Sequence, residues 1–343
     1  MYHTHFRGTH YHIGYSYGSA LKKHGNYILK QVPWPIGPDQ ISFAAACRPF
    51  YQDCFPEILE EIQGLADGQG CPASHLETVL FCMYCMVPSC HCSHFAVRNR
   101  TNVLFGRNSD FLTCIEKLYT NSIYHFAGNS YAFQGNTTAF VEMEDGINEH
   151  GLAIGLTMVP SRIIRPGIHA GMLLRMILEK CTNVQEACEL IEKIPLASGQ
   201  TFLMADQNGT IALVECGPFG MDLLIPEKQE AFVCATNRFH LAHTKPYQDD
   251  GADDWQAEER YQTLLQTLQA GYDSFSLEDA KGLLSGKNGF LCQYDRTTGK
   301  DTVWSVLWDV SNRILYRAEG NPARIPYKKD ERFLSRVKKA FGK

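Results

Sequence analysis

The chain has little of what marks several common protein classes. Among 343 residues Asp and Glu outnumber Lys and Arg, 37 to 32, for a formal net charge of -5. With no basic excess, neither nucleic acid nor an acidic membrane surface is expected as a partner. The longest apolar run, Val79 to Val87, is about half the length of a membrane helix. Met1 to Gly18 is rich in histidine, tyrosine and glycine and has no basic region ahead of an apolar core, so no secretory signal is expected. These absences predict a soluble, cytoplasmic protein. There is no internal repeat and no low-complexity linker. The 13 cysteines, an odd number in a mid-sized chain, fit free thiols in a reducing compartment better than a disulfide framework.

What is present changes character near residue 91. Before it the signals are helical. Ile13 to Gln31 reads as helix, and Pro56 opens another over Glu57 to Ala66. Ser74-His75-Leu76-Glu77 forms a capping box for a helix running to near Met86, with Pro88 as its stop. After it come strands, with hairpins at 92–108, at 139–158 around Asn148-Glu149-His150-Gly151, and at 201–216 around Asp206-Gln207-Asn208-Gly209. Gly171 to Ile194 is helical and breaks at Thr182, which starts a second capping box with Gln185. Thr302 to Asp309 and Arg313 to Ala318 are strands joined by a turn at Val310-Ser311-Asn312. Strand runs around paired helices predict an α+β protein with sheets packed face to face and covered by helices. Length alone suggests about two domains, although a layered sandwich uses this length as one.

The richest stretch is CSHFAVRNRTNVLFGRNSDF, Cys92 to Phe111. Cys92 to Val97 and Val103 to Arg107 read as two strands of a hairpin. A two-residue loop at Arg100-Thr101 sets Cys92 opposite Ser109 and brings Arg107 to the cysteine's face, with Asp110 at the strand end. The chemistry served by such a cluster is amide cleavage by a thiol whose own α-amine is the general base. A free α-amine titrates at about 7.7 to 8.0, near working pH, and an internal cysteine has none. The backbone must therefore break before Cys92. Attack of the Cys92 thiol on the His91 carbonyl, with hydrolysis of the resulting thioester, would release that amine. Arg107 would then hold a thiolate or a substrate, and Asp110 would orient the new ammonium group.

CSHFAV followed by GRNSD resembles the N-terminal nucleophile (Ntn) hydrolases, in particular the acyl-coenzyme A:6-aminopenicillanic acid acyltransferase family and its relatives the choloylglycine hydrolases and penicillin V acylases. The resemblance puts the family's nucleophile on Cys92 and its arginine and aspartate on Arg107 and Asp110. Gly146 to Leu156 resembles the family's "N-E-x-G-L" hairpin, with Thr157 where the bile-salt branch has asparagine. Ala235-Thr236-Asn237 resembles its "TN" strand end, so Asn237 inherits an oxyanion-binding role. Glu259-Arg260-Tyr261 resembles a helix start that carries a further active-site arginine, Arg260. The resemblance runs from Gly8 to about Pro322.

The resemblance implies a four-layer α-β-β-α sandwich. A helical pro-segment, 1–91, would be packed on a catalytic body, 92–343. It also implies self-cleavage at His91-Cys92, no cofactor and no metal. The partners it implies are a small-molecule N-acyl substrate or acyl-coenzyme A, together with the chain's own N-terminal fragment, and it is compatible with a homo-oligomer. Two rivals stand beside it. Cys82, Cys85, Cys90, His91, Cys92 and His94 crowd together and could form a structural zinc site. Alternatively, the chain is an uncleaved relative that keeps the fold without catalysis.

Overall fold

The computed structural model describes residues 1–32, 34–86 and 91–333. The strands are β1 (Tyr2–Gly8), β2 (His91–Arg98), β3 (Val103–Leu112), β4 (Thr120–Phe126), β5 (Phe133–Thr137), β6 (Asp145–Asn148) and β7 (Ala153–Met158), then β8 (Gln200–Ala205), β9 (Ile211–Gly217), β10 (Gly220–Leu224), β11 (Ala231–Ala235), β12 (Lys300–Asp309), β13 (Ile314–Ala318) and β14 (Lys328–Asp330). The helices are α1 (His10–Lys23), α2 (Ile28–Gln31), α3 (Pro38–Cys54), α4 (Pro56–Gln69), α5 (Ala73–Cys82), α6 (Ala170–Lys180), α7 (Val184–Lys193), α8 (Ala257–Gly271) and α9 (Leu277–Leu284). An eight-stranded sheet has the order β1-β4-β5-β6-β7-β8-β9-β10, and a six-stranded sheet the order β11-β2-β3-β12-β13-β14.

Three apolar cores explain the layering. Ile13, Ile62, Leu65, Met172 and Ile177 from the helices meet Phe133, Ile154 and Phe202 of the larger sheet. Phe105, Ile123, Ile147, Leu203, Trp304 and Trp308 fill the space between the sheets. Phe95, Leu104 and Leu307 pack under Leu264, Leu268, Leu283 and Leu284 of α8 and α9. Alternation in β2 and β3 divides their side chains between the last two cores, with Ala96 and Phe105 inward and Phe95 and Leu104 toward the helices. The α+β expectation with two covered sheets is met.

The segment before Cys92 is not purely helical. Tyr2 to Gly8 forms an edge strand paired in parallel with β4, Tyr2 opposite Thr120 and Gly8 opposite Phe126. Its residues carry no clean alternation, so only the long-range pairing makes it a strand. Behind it α1 and α4 pack at backbone distance: a Cβ on Gly14 would stand 2.0 Å from Glu61 O, and one on Gly64 2.1 Å from Tyr11 O. Several boundaries differ from expectation. No strand covers 139–144, and the second hairpin begins at Asp145. Helix α5 is capped by Pro72 without a side-chain bond and ends at Cys82, so Ser74 makes no capping box, and Pro88 lies outside the described residues. The cap of α7 is Asn183, one residue after Thr182, because its side chain accepts from Glu186 N.

Candidate functional site

The hairpin that carries Cys92 is closed by one side chain. Asn99 Oδ1 accepts from the backbone N–H groups of Thr101 and Asn102, each at 3.1 Å. The register that results sets Cys92 opposite Ser109 and His94 opposite Arg107, as the two-residue loop requires. Cys92, His94, Arg107 and Ser109 therefore point between the sheets, and Ser93, Asn108 and Asp110 point toward α8 and α9. β3 runs on to Leu112, so Asp110 is not at a strand end. It flanks the Cys92 backbone from the face opposite the thiol.

Arg107 Nη2 donates to Cys92 Sγ at 2.7 Å. The same nitrogen lies 3.3 Å from Glu144 Oε2, Nη1 donates to Asp145 Oδ2 at 2.9 Å, and Nε donates to Leu156 O at 3.1 Å. All four side chains, Cys92, Arg107, Glu144 and Asp145, are fully buried. Neither acid was picked out from the sequence, although two adjacent carboxylates just ahead of the apolar hairpin 146–156 were a legible signal. Ser109 Oγ donates to Glu144 Oε2 at 3.1 Å, completing the ring around the thiol.

The other two polar atoms of Cys92 are held from distant segments. Its backbone N–H donates to Asn237 Oδ1 at 2.9 Å, and its carbonyl accepts from Arg260 Nη1 at 2.6 Å. Arg260 Nη2 also donates to Asn237 Oδ1, at 3.0 Å, and Asn237 Nδ2 donates to Met158 O at 2.7 Å. Two N–H donors on Oδ1 fix the orientation of the amide. Arg260, in the first turn of α8, is itself caged: Nε donates to Trp255 O at 3.0 Å and Nη2 to Asp254 O at 2.8 Å. Trp255 and Gln256 adopt left-handed φ of 53° and 59°, which folds these carbonyls back over the guanidinium.

Asp110 accepts from Thr302 Oγ1 at 2.5 Å and from Tyr294 OH at 3.0 Å, and lies 3.8 Å from Arg260 Nη1. Burial pushes its carboxyl up to about 6, against the pull of Arg260 and the two hydroxyls. His91 is stacked on Trp255 with ring centroids 4.3 Å apart, and burial pushes it down to about 3, so it is neutral. Burial and the neighbouring Arg107 charge keep His94 neutral as well, and its Nε2 meets Thr201 Oγ1 at 3.2 Å. Thr157 Oγ1 donates to Thr236 O at 2.6 Å and lies 2.7 Å from Thr201 Oγ1.

Arg107, Asp110, Asn237 and Arg260 are thus gathered around Cys92, and of the "N-E-x-G-L" hairpin the far end meets them, through Leu156 O on Arg107 Nε, while Asn148 bonds elsewhere. Asn148 accepts from His150 N and Leu152 N and donates to Leu178 O and Cys181 O, tying its hairpin to the end of α6. Its role is to hold the turn. As for zinc, Cys82 Sγ donates to Gln40 O at 3.5 Å, and burial pushes that thiol up to about 12. Among the described residues no group of three or more His, Cys, Asp or Glu side chains is arranged to hold a metal ion, and Cys90 lies outside them.

Two stacked sheets under helices thus enclose a cysteine whose sulfur, nitrogen and carbonyl are each held by a different polar side chain. Residues 97–324 match the family model "Acyl-coenzyme A:6-aminopenicillanic acid acyl-transferase", and the chain belongs to that family. The match contains Arg107, Asp110, Asn237 and Arg260 and begins five residues after Cys92. Among solved structures, a Caenorhabditis elegans N-acylethanolamine-hydrolyzing acid amidase ortholog is 16% identical with a TM-score of 0.47, over 64% of this chain and 93% of that one. A mutant conjugated bile acid hydrolase from Clostridium perfringens is 15% identical with a TM-score of 0.44, over 70% and 96%. Penicillin V acylase from Agrobacterium tumefaciens is 15% identical with a TM-score of 0.40, over 66% and 83%. Comparison with curated protein sequences gave no match. Among the described residues no helix is long and apolar enough to cross a membrane.

Proposed function

We propose that the chain is a cysteine amidohydrolase or N-acyltransferase of the Ntn type, which cuts itself before Cys92 and then works through an acyl-Cys92 intermediate on linear, non-peptide amides. The observation that carries this reading is the three-point hold on Cys92: Sγ by Arg107, N by Asn237 and O by Arg260. A structural cysteine would also need partners for its buried N–H and carbonyl, but not a guanidinium on its sulfur.

In the first step Sγ bonds to the His91 carbonyl carbon, the peptide C–N bond breaks, and the thiol proton passes to the departing nitrogen. Water then hydrolyses the thioester, leaving a His91 carboxylate and a free α-amine on Cys92. Asn237 Oδ1 already accepts the N–H that becomes this amine, and Asp110, reached through Arg260, would offset its positive form. In turnover the amine takes the thiol proton, Sγ attacks the substrate carbonyl, and the proton goes to the leaving amine. Asn237 Nδ2 with a backbone N–H would bind the oxyanion, where losing one donor typically costs about 10²- to 10³-fold in rate. Water or an acceptor amine then takes the acyl group.

Residues 1–91 act in this reading as a pro-segment that stays on the body, because β1 is hydrogen-bonded into the larger sheet. Intact mass of the purified protein tests the scheme. The natural sequence should give Met1–His91 and Cys92–Lys343, and Cys92→Ala a single chain. An active but uncut natural protein would refute the α-amine as base. Hydrolysis of a panel of N-acyl amino acids and penicillin V, set against thiolysis with an acyl-coenzyme A donor, separates hydrolase from acyltransferase.

A further inference from the structure

The space between the sheets holds a line of buried polar side chains that the chemistry above does not use. Strand register sets His3 opposite Asn121, Asn121 opposite Asn136, Asn136 opposite Asp145, and Asp145 opposite Gly155. The line crosses from the edge strand β1 to the middle of the larger sheet, and Asn121, Asn136 and Asp145 are fully buried. Hydrogen bonds run along it. Asn121 Nδ2 donates to Asn136 Oδ1 at 2.8 Å, and Asn136 Nδ2 donates to Asp145 Oδ1 at 2.5 Å. Asp145 Oδ2 takes the last two donors, Arg107 Nη1 at 2.9 Å and Trp304 Nε1 at 3.0 Å. At the outer end Asn121 Oδ1 accepts from Gln134 Nε2 at 3.0 Å and from Arg332 Nη2. Arg332 is paired with Asp330 at 2.6 Å, and Asp330 is paired with Arg317 at 2.8 Å.

The inner end is shaped for Arg107. A Cβ on Gly155 would stand 3.0 Å from Arg107 Cδ and 2.7 Å from Phe105 Cζ, so the line stops at a residue with no side chain and the guanidinium arm occupies that space. Burying amide groups costs free energy unless each is bonded, and a row of apolar residues would fill an inter-sheet space without that demand. Here the amides pass a fixed orientation inward: each amide accepts from its outer neighbour and donates toward Asp145.

We propose that Asn136, Asn121 and Arg332 are positioning residues for Cys92. By fixing the plane of the Asp145 carboxylate they fix Arg107, so that its Nη2 meets Sγ, and the C-terminal segment around β14 thereby bears on a nucleophile four strands away in its own sheet, through side chains of the facing sheet. The inference rests on the reading of Cys92 as the reactive thiol.

The test is the rate of Cys92 alkylation by iodoacetamide in the full chain, read by peptide mass as a function of pH, with thermal unfolding measured alongside. Asn136→Ala should slow Cys92 labelling about five- to tenfold, the size of one lost buried hydrogen bond, and displace its pH profile. Arg332→Ala should slow it less, with most of the rate restored by Arg332→Lys. If Asn136→Ala and Arg332→Ala lower stability but label Cys92 as fast as the natural sequence or faster, with an unchanged pH profile, the line is only structural and the proposal falls. Arg107→Gln, with Asp145→Asn as a second variant should the first not fold, separates the two readings. Slowing in these with none in Asn136→Ala refutes the line alone. No slowing in any of them refutes the Arg107–thiol contact, and with it the reactive-thiol reading.

Discussion

Arg175 of α6 is fully buried, with Nη2 2.7 Å from Glu61 Oε2 on α4, Nε 2.5 Å from Glu179 Oε1, and Nη1 donating to Val141 O at 2.7 Å. His10 of α1 meets Glu179 Oε2 at 2.8 Å. The cluster joins helices on both sides of the His91-Cys92 bond, so Arg175→Met tests what holds the first 91 residues to the rest. Removing the shared cation leaves two buried carboxylates facing one another. Breaking a buried pair in this way costs about 3 to 5 kcal/mol, a large part of the roughly 5 to 15 kcal/mol that keeps a domain folded. The pH dependence has a definite sign. Burial alone would raise the Glu179 carboxyl, but Arg175 and His10 outweigh it and hold it below the usual range. Its contribution to stability is therefore present above the ordinary glutamate value and lost as pH falls through the lower one. Glu61 is raised, because burial exceeds what Arg175 and His10 return, so its ionisation opposes folding. In Arg175→Met both carboxyls are raised, and acid relieves the variant more than the natural protein. Urea unfolding near neutrality and near pH of about 4.3, the ordinary glutamate value, should give a stability difference that narrows in acid. A difference below about 1 kcal/mol at neutrality, or one equal at both pH values, would refute the reasoning.

Three further outcomes follow from the same geometry. Because burial raises Asp110 to about 6, self-cleavage and turnover should climb as pH rises through about 6 and Asp110 ionises, and Asp110→Asn should lack that limb in a rate-against-pH series. His91 is pushed by burial down to about 3 in the folded chain, so the unfolded chain binds a proton first. Stability should fall as pH drops from about 6.5 toward that value, and His91→Gln should flatten this slope in urea midpoints. Gly14→Val would put a Cβ 2.0 Å from Glu61 O and force α1 off α4, so the variant should lose thermal stability, and after cleavage its fragments should separate on size exclusion where those of the natural sequence stay together.

Local chemistry was the legible part. The turn at Asn99 to Asn102 and the alternation of β2 and β3 were enough to set Cys92 opposite Ser109 and to bring Arg107 to its face. The turns at 148–151, 206–209 and 310–312 were read for the same reason, since each joins strands close in sequence. β1 was missed because its pairing partner lies over a hundred residues away and its own pattern is weak. The missed cap at Asn183 has a simpler cause: Thr182 and Asn183 are adjacent short polar side chains at one helix start, and a boundary shift of one residue chooses between them, whereas α5 starts at Ala73, ahead of Ser74, with no side-chain cap.

The sequence by itself determined which residues could form a nucleophile's surroundings, because a cysteine strand followed by GRNSD and, far downstream, the asparagine after β11 and the arginine of α8 are chemical types carried by the chain. Only the tertiary structure decided how the distant ones reach Cys92. The left-handed turn at Trp255 and Gln256 brings Arg260 onto the Cys92 carbonyl, and Asn237 comes from beyond β11 to the Cys92 N–H. Glu144 and Asp145 join Arg107 only because the two sheets stack, which is a matter of burial and register across distant strands. No stretch of neighbouring residues encodes that contact.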